Sequence, residues 1–426
     1  MVDRISDLPD EILTYTLSFL TLRDAAVTSV LSSRWRYLWT SVTSLNFDDP
    51  LCMRRHRYIK WVNQILQLHQ GSNIGAFRVC FDFDKKSSHH VDRWIDFAIE
   101  KGVQSLELDM SKDPLNYCNL MRYTFPCNIF AQERRSYLKN LRLRLCILRP
   151  PVSGSFKYLR GLTLENVYVI GEVLENFLSN CLLLERLTVE EAHNLVNLKV
   201  AGPSLQLKYL VILFCFRVKN IEISAANLVS FKYYGSKTNL SLKNVPQLVD
   251  VYFGVAPLSV SDAINYGLRH LAGGNLSQLQ TLMLGSALPF EANMGFKNLI
   301  VLTNLKHLLL LIYAKDHESL LGFTSLLKAS PFLHRLELHL HWRPDAASTQ
   351  VRLAFQDAAS TQVMKIDLAI FFSCTRKYAM GLSDRVLMME LSDPHLFIHL
   401  HRRVSADYLI HHLNRRDNVP LKEGNA

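Results

Sequence analysis

Two stretches gather side chains that could ligate a metal. "DFDKKSSHH" brings Asp82, Asp84, His89 and His90 together, and "HLFIHLH" groups His395, His399 and His401. Imidazole nitrogens and carboxylate oxygens are zinc ligands. Lys85 and Lys86, however, sit inside the first stretch and oppose a cation, and no carboxylate stands usefully near the second. Neither is expected to hold a metal. Eight cysteines (Cys52, Cys80, Cys118, Cys127, Cys146, Cys181, Cys215 and Cys374) occur without C-x-x-C spacing, mostly in apolar runs, the usage of buried thiols in a reducing compartment. The chain holds no P-loop, Gly-rich dinucleotide turn, G-x-S-x-G elbow or H-E-x-x-H. No reaction and no cofactor are therefore assigned to it, and the chemistry left to read is recognition.

The densest recognition chemistry lies in "VLSSRWRYLWTSVTSLNF", where Trp35, Tyr37 and Trp39 alternate with Arg34 and Arg36. Aromatic and basic residues together suit a nucleic acid, a cofactor or a protein partner. The surrounding charge argues against the first. Asp3, Asp7, Asp10, Glu11, Asp24, Asp48 and Asp49 outnumber Arg4, Arg23, Arg34 and Arg36 here, although the 426-residue chain carries +10 overall from 48 Lys and Arg against 38 Asp and Glu. With 49% hydrophobic residues the chain can bury a large core. The start, "MVDRISDLPDE", is charged where a signal peptide is apolar, and the runs "LVILFCF" and "LLLLIYA" are too short to cross a bilayer. A protein of the cytoplasm or nucleus, with no membrane partner, is expected.

The elements around the aromatic cluster read as three short helices. Ser6 or Asp7 suits an N-cap, Pro9 the first helical position, and Asp10 and Glu11 the first turn. Ile12, Leu13, Leu17 and Leu20 then form one apolar face. A second helix begins between Thr21 and Asp24 and carries Ala26, Val27, Val30 and Leu31, and a third places Trp35, Leu38 and Trp39 at i, i+3 and i+4. So few residues make a poor independent core, so part of this apolar surface is expected to serve a partner. Each tryptophan packs either inside or against that partner, with Arg34 and Arg36 on the wet side.

Beyond it, "RRHRYIKWVNQILQLHQ" predicts an amphipathic helix with Ile59, Val62, Ile65, Leu66 and Leu68 inward, and "IGAFRVCFDF", "VDRWIDFAIEKG" and "VQSLELDM" a β-α-β unit. One phrase then recurs, in "LKNLRLRL", "YLRGLTLENV", "LERLTVEEA", "LVNLKV", "LKYLVI", "VKNIEI", "LQTLML", "LKHLLLL" and "LHRLEL". Each approximates L-x-x-L-x-L, a strand that cannot bury its apolar face alone but does so when stacked. The spacing is roughly 21 to 30 residues before Leu184 and after Leu248 but about 10 to 12 between them, which predicts strand-and-turn repeats in that interval. "DAASTQV" occurs at Asp345 and again at Asp357, a local duplication, and the phrase is lost after it. Regular repeats are expected to stop there, and "NRRDNVPLKEGNA" to fray.

Leu8-Pro9, Ile12-Leu13, Ser18-Phe19-Leu20, Asp24-Ala25, Ser29-Val30-Leu31-Ser32 and Arg34-Trp35-Arg36-Tyr37-Leu38-Trp39 stand in the register of an F-box. With "LSNCLLLERLTVEEAHNLVNLKVAGPSLQLKYLVI" and "NLVSFKYYG", the chain resembles the plant F-box/leucine-rich-repeat proteins of the FBD-associated group. The resemblance implies an α/β fold, a three-helix F-box at 1–47 followed, after a linker helix and first β-α unit at 48–102, by an irregular leucine-rich-repeat solenoid with a parallel β-sheet at 103–341. A divergent, partly flexible segment at 342–426 departs from the β-rich FBD pattern. It further implies a non-catalytic substrate receptor of a Skp-cullin-F-box ubiquitin ligase. Leu8, Pro9, Ile12, Leu13, Leu17, Leu20, Val30, Leu31, Trp35 and Trp39 would dock the Skp-type adaptor, and through it a cullin-RING ligase. Thr16 stands where the family usually has isoleucine, which implies weaker docking. On such a solenoid the variable strand positions face an unknown protein substrate: Arg142, Arg144, Thr163, Glu165, Thr188, Glu190, Lys199, Glu222, Ser241, Met283, Glu337 and His339. Their mixed signs favour protein over nucleic acid. The alternative is an F-box-derived scaffold outside a working ligase that binds protein or, weakly, nucleic acid.

Overall fold

The computed structural model describes residues 5, 7–48, 53–81, 87–111, 123–131, 137–151, 156–202, 204–256, 265–270, 278–289, 301–314, 329–342, 363–364 and 397–402. The chain divides into two compact units, Met1–Val245 and Pro246–Ala426.

The first unit opens with helix α1, Asp10–Leu17, whose N-cap is Pro9 in an extended conformation (φ −57°, ψ 151°) with no side-chain cap. Proline lies one position earlier than the sequence suggested, since its ring leaves no N–H to satisfy at either place. Helix α2, Leu22–Val27, is capped by Thr21, whose Oγ1 accepts from the Asp24 N–H at 3.1 Å and donates to Asp24 Oδ2 at 2.7 Å. The second helix ends in a single 3₁₀ turn, Thr28–Val30, and the third shrinks to another, Leu38–Ser41, with turns through the tryptophan segment between them. Serines and threonines occupy this stretch and bind nearby carbonyls instead of extending an α-helix: Thr28 Oγ1 donates to Ala25 O and Thr40 Oγ1 to Tyr37 O, both at 2.6 Å.

No flexible tether follows. Strand β1, Ser44–Asp48, leaves the helical module and pairs in parallel with β2, Ala76–Cys80. Between them runs α3, Arg55–Leu68, which buries Tyr58, Val62 and Ile65 and leaves Leu68 exposed. Helix α4, Ser88–Glu100, buries Val91, Trp94, Ile95, Ala98 and Ile99. The Tyr58 ring stacks on Phe81 at 4.3 Å, and its hydroxyl donates to Phe47 O at 2.5 Å. Two further ties fix the join: the Gln70 N–H donates to Thr40 O at 2.8 Å, and buried His69 Nε2 lies 3.0 Å from Val42 O; next to it, Lys101 Nζ donates to Gly71 O at 2.8 Å.

The sheet continues in parallel through β3, Ser105–Asp109; past the two-residue β4, Tyr123–Thr124, to β5, Asn140–Arg144; and past β6, Cys146–Ile147, to β7, Gly161–Glu165, and β8, Arg186–Glu190. The second and fourth residues of these strands, such as Leu141, Leu143, Leu162 and Leu164, point inward and are almost wholly buried. Period two puts the intervening residues on the outward face. Helix α5, Gly171–Asn180, packs next to β9, Asn197–Ala201. A Cβ on Gly171 would lie 2.0 Å from Asn197 O, so this close approach admits glycine alone.

From β9 the short phrases alternate between two sheets. β10, Tyr209–Leu213, and β12, Ser230–Gly235, extend the main sheet beside β8, whereas β11, Asn220–Ser224, and β13, Asn239–Lys243, pair with β9 in a three-stranded parallel sheet. The phrases spaced by about 10 to 12 residues are therefore half-coils. Each full coil keeps the ordinary leucine-rich-repeat length and replaces the helix of its far side with a strand. A left-handed residue closes each of β5, β7, β8 and β10: Leu145 (φ 56°), Asn166 (φ 49°), Glu191 (φ 53°) and Phe214 (φ 57°). Their N–H groups donate to Glu165, Glu190, Leu213 and Tyr234 carbonyls at 2.7–3.1 Å, so the corner prolongs the ladder by one bond per coil.

The second unit is a parallel sheet of β14, Asp250–Val255; β15, Thr281–Pro289; β16, His307–Ala314; and β17, Arg335–Trp342. Leu282, Leu284, Leu308, Leu310 and Leu336 are buried. β18, Val363–Met364, and β19, Phe397–Arg402, follow, with β19 parallel to β17 and β18 antiparallel to β19. Strand pairing thus resumes beyond Asp345. The first "DAASTQV" copy, the second up to its final Val363, which opens β18, and the final polar stretch lie outside the described residues.

Candidate partner-binding faces

The helical module sorts its apolar side chains into two sets. Leu13, Leu17, Leu22, Ala25, Trp35 and Leu38 form its interior. Ile5, Leu8, Ile12, Phe19, Leu20, Val30 and Leu31 stay exposed, Val30 at 83%. Of the ten residues expected on a docking face, Leu8, Pro9, Ile12, Leu20, Val30 and Leu31 lie at the surface and Trp39 is half-buried. Leu13, Leu17 and Trp35 are corrected to core: at 0%, 2% and 6% exposure they present almost nothing to a partner. Thr16 is exposed, and its Oγ1 donates to Ile12 O at 2.8 Å, so its hydroxyl is satisfied within the helix.

Arg34 does more than face water. Its Nε and one terminal nitrogen lie 2.9 and 2.6 Å from Asp10 Oδ1, and that nitrogen donates also to Leu8 O at 2.6 Å. The guanidinium fork holds the Leu8-Pro9 entry against the start of α1, where Asp10 already favours the helix N-terminus.

On the outward face of the first unit's main sheet, charge runs from strand to strand. Arg78 bridges Asp48 at 3.3 Å and Glu107 at 3.5 Å; Arg142 reaches Glu107 at 3.7 Å and pairs with Glu165; Arg144 pairs with Asp109 at 3.2 Å and reaches Glu165 at 3.9 Å. Thr163 and Thr188 share this face, and Glu190 ends the ladder. Burial first, then the neighbouring Glu165 carboxylate, pushes the Glu190 carboxyl up to about 7. The next strand brings Leu213 into register with Glu190 and Val211 with Thr188.

Lys199, Glu222 and Ser241 do not share that face. They lie on β9, β11 and β13 in the second sheet, beside an asparagine ladder in which Asn220 donates to Asn197 at 2.7 Å and Asn239 to Asn220 at 2.9 Å. In the second unit Met283 is half-buried, and Glu337 is corrected from surface to interior. Its side chain is 3% exposed, with Oε1 2.9 Å from His307 Nε2 and 2.7 Å from the Arg335 guanidinium. His339 lies in β17; its side chain is outside the described residues.

Among the described residues no group of three or more His, Cys, Asp and Glu side chains is placed to hold a metal. Asp82, Asp84 and His395 lie outside the described residues; His399 and His401 lie in β19. Within α4 the His89 and His90 rings are 4.0 Å apart, and burial, then His89 and Arg93, hold His90 below its ordinary pKa. Burial pushes the Cys80, Cys127, Cys181 and Cys215 thiols up to about 12, far from a reactive thiolate. Cys52, Cys118 and Cys374 lie outside the described residues. No described helix is long and apolar enough to cross a membrane.

Residues 5–47 match the F-box domain model, and residues 65–367 match the family model described as "At1g61320/AtMIF1, LRR domain". The chain belongs to the plant F-box/leucine-rich-repeat family. Its relatives bear out the FBD-associated group. F-box/FBD/LRR-repeat protein At1g13570 of Arabidopsis thaliana is 33% identical over 49% of this chain and 49% of its own length. FBD-associated F-box protein At5g38590 from the same plant is 29% identical over 79% of this chain and 78% of its own. F-box/LRR-repeat protein 25, also from Arabidopsis thaliana, is 32% identical over 53% and 83%. The chain thus spans about half the length of the first of these relatives and more of the other two.

Proposed function

We propose that this F-box/leucine-rich-repeat protein is a non-catalytic substrate receptor of a Skp-cullin-F-box type ubiquitin ligase, working in the cytoplasm or nucleus. The observation that carries the reading is the unspent apolar surface of the N-terminal module. Nine large side chains stay exposed between Ile5 and Leu31, Tyr15 and Val27 among them, while a separate set fills the interior. Covering a Leu- or Ile-sized side chain contributes about 1.5–3 kcal/mol, whereas association costs roughly 4–15 kcal/mol, so five or six anchors sustain a stable complex. The repeats would present their outward strand residues to a protein substrate, and the adaptor and its cullin-RING partner would supply the transfer chemistry.

Co-purification with a Skp-type adaptor tests the reading. The intact chain should retain the adaptor at micromolar concentration, and Leu8→Asp combined with Pro9→Ala should abolish retention without unfolding the repeats. An intact, folded chain that fails to bind would overturn the ligase assignment.

A further inference from the structure

The outward strand residues nearest the C-terminal edge of the first unit's main sheet form a lip of uneven charge. Asp48, Asp109, Arg144, Glu165 and Glu190 occupy the same register position on β1, β3, β5, β7 and β8. Four carboxylates thus accompany one guanidinium. Three arginines of the face are already shared between two carboxylates, Arg78 with Asp48 and Glu107, Arg142 with Glu107 and Glu165, and Arg144 with Asp109 and Glu165, while Arg186, at the opposite end of β8 from Glu190, lies 4.4 Å over the Tyr209 ring. Among the described residues, Glu190 forms no ion pair and remains partly accessible.

Directly beyond Glu190 the lip becomes apolar and aromatic. Leu213 is its register partner on β10, and Tyr234 follows on β12. The Phe214 ring lies 5.2 Å from Tyr234, Phe216 is edge-on to Tyr234 at 6.4 Å, and Phe216 remains 45% exposed. With strands about 4.8 Å apart, the acid and the aromatic wall lie within one side chain's reach of each other. Lys232 also faces outward, but at the middle register position of β12, away from the lip.

We infer that this lip receives a basic–aromatic segment of the protein substrate, in which an arginine or lysine pairs with Glu190 and an adjoining aromatic side chain packs on Phe214 and Phe216. Charge complementarity selects the cation: Glu165 and Glu191 bear on Glu190 from β7 and from its own strand end, Arg142 and Arg144 answer only in part from β5, and β10 offers Leu213. The elevated Glu190 pKa agrees, because a cation arriving there stabilises the charged carboxylate and displaces its proton. The inference rests on the receptor reading and names its substrate chemistry.

The full chain, alone and with a Skp-type adaptor, is titrated with three labelled twelve-residue peptides: alternating arginine and phenylalanine, glutamate replacing arginine, and glycine replacing phenylalanine. The arginine–phenylalanine peptide should bind at least tenfold more tightly than either other peptide. Glu190→Gln and Phe216→Ala should each weaken it about fivefold or more, and Glu175→Gln, on the opposite side of the coil, should leave it unchanged. Affinity should rise between pH 6 and pH 8 in the wild type and stay flat in Glu190→Gln. Equal binding of the glutamate or glycine peptide, or an unchanged Kd in both lip variants, overturns the inference. Adaptor retention is scored separately. Peptide binding by a chain that fails to hold the adaptor sinks the receptor reading alone, and adaptor binding without peptide discrimination sinks the lip alone.

Discussion

Removing the Arg34 fork should weaken adaptor docking far more than it weakens the fold. The pair with Asp10 is solvent-exposed, with the two side chains 39% and 61% accessible, so it contributes only about 0.2–1 kcal/mol on its own. The bond from the same guanidinium to Leu8 O at 2.6 Å adds roughly another 1 kcal/mol, less than a buried charge-assisted bond gives. Together they hold the Leu8-Pro9 entry with about 1–2 kcal/mol, which a partner would have to supply if the fork were absent. Each 1.4 kcal/mol is tenfold in affinity, so Arg34→Ala should raise the adaptor Kd about 5- to 30-fold. The melting temperature should fall by no more than about 2 °C, because Leu13, Leu17 and Trp35 stay packed. Arg34→Lys keeps the charge but loses the planar fork and should fall between the two. Calorimetric titration of the adaptor into each variant, with Asp10→Ala and the double variant completing a cycle, measures the effect. An Arg34→Ala protein that binds within twofold of wild type, or a cycle with no coupling, refutes the positioning argument.

Acid should loosen the join between helical module and repeats. Burial holds His69 below its ordinary pKa, so it is neutral in the folded chain and takes up a proton on unfolding. The stability it contributes is complete above the unfolded pKa of about 6.5 and is lost as pH falls from there toward its folded pKa. Urea midpoints between pH 7.5 and pH 5 should decline more steeply for wild type than for His69→Gln; parallel curves would remove His69 from the account. In the second unit, Glu337→Ala leaves Arg335 and His307 without their shared carboxylate and should cost about 2–4 kcal/mol, discounted because Arg335 is 42% exposed. A loss under about 1 kcal/mol by urea titration would show that the cluster adds little.

The leucine phrases were legible because each strand repeats the same period-two burial. What they could not reveal was which sheet a strand joins. "LVNLKV" and "LKYLVI" look alike, yet Leu198 belongs to the second sheet and Leu210 to the main one, since a half-coil and a whole coil bury leucine identically. That ambiguity placed Lys199, Glu222 and Ser241 among residues they do not neighbour. Glu337 was misread for a related reason: strand alternation assigns a face, whereas burial on that face depends on residues elsewhere in the chain. The left-handed corners escaped notice because Leu145, Glu191 and Phe214 lack the glycine signature, and the backbone bond each donates is what holds them there. In the helical module the pattern found the apolar face but not its division, because spacing cannot tell a residue packed within a small module from one left for a partner.

Strand β1 bears on how this protein can be taken apart. A family boundary at residue 47 invites a cut there, yet Ser44–Asp48 is the outermost strand of the repeat sheet and hydrogen-bonds along the whole of β2. Cutting at that boundary removes most of the strand and uncovers a row of β2 amides and carbonyls, the kind of edge that recruits strands from other copies. The two parts are interlocked as pieces of joinery are, with the tenon on the smaller piece. A repeat fragment meant to stand alone would have to keep that tenon, and a transplanted helical module would carry a strand seeking a sheet.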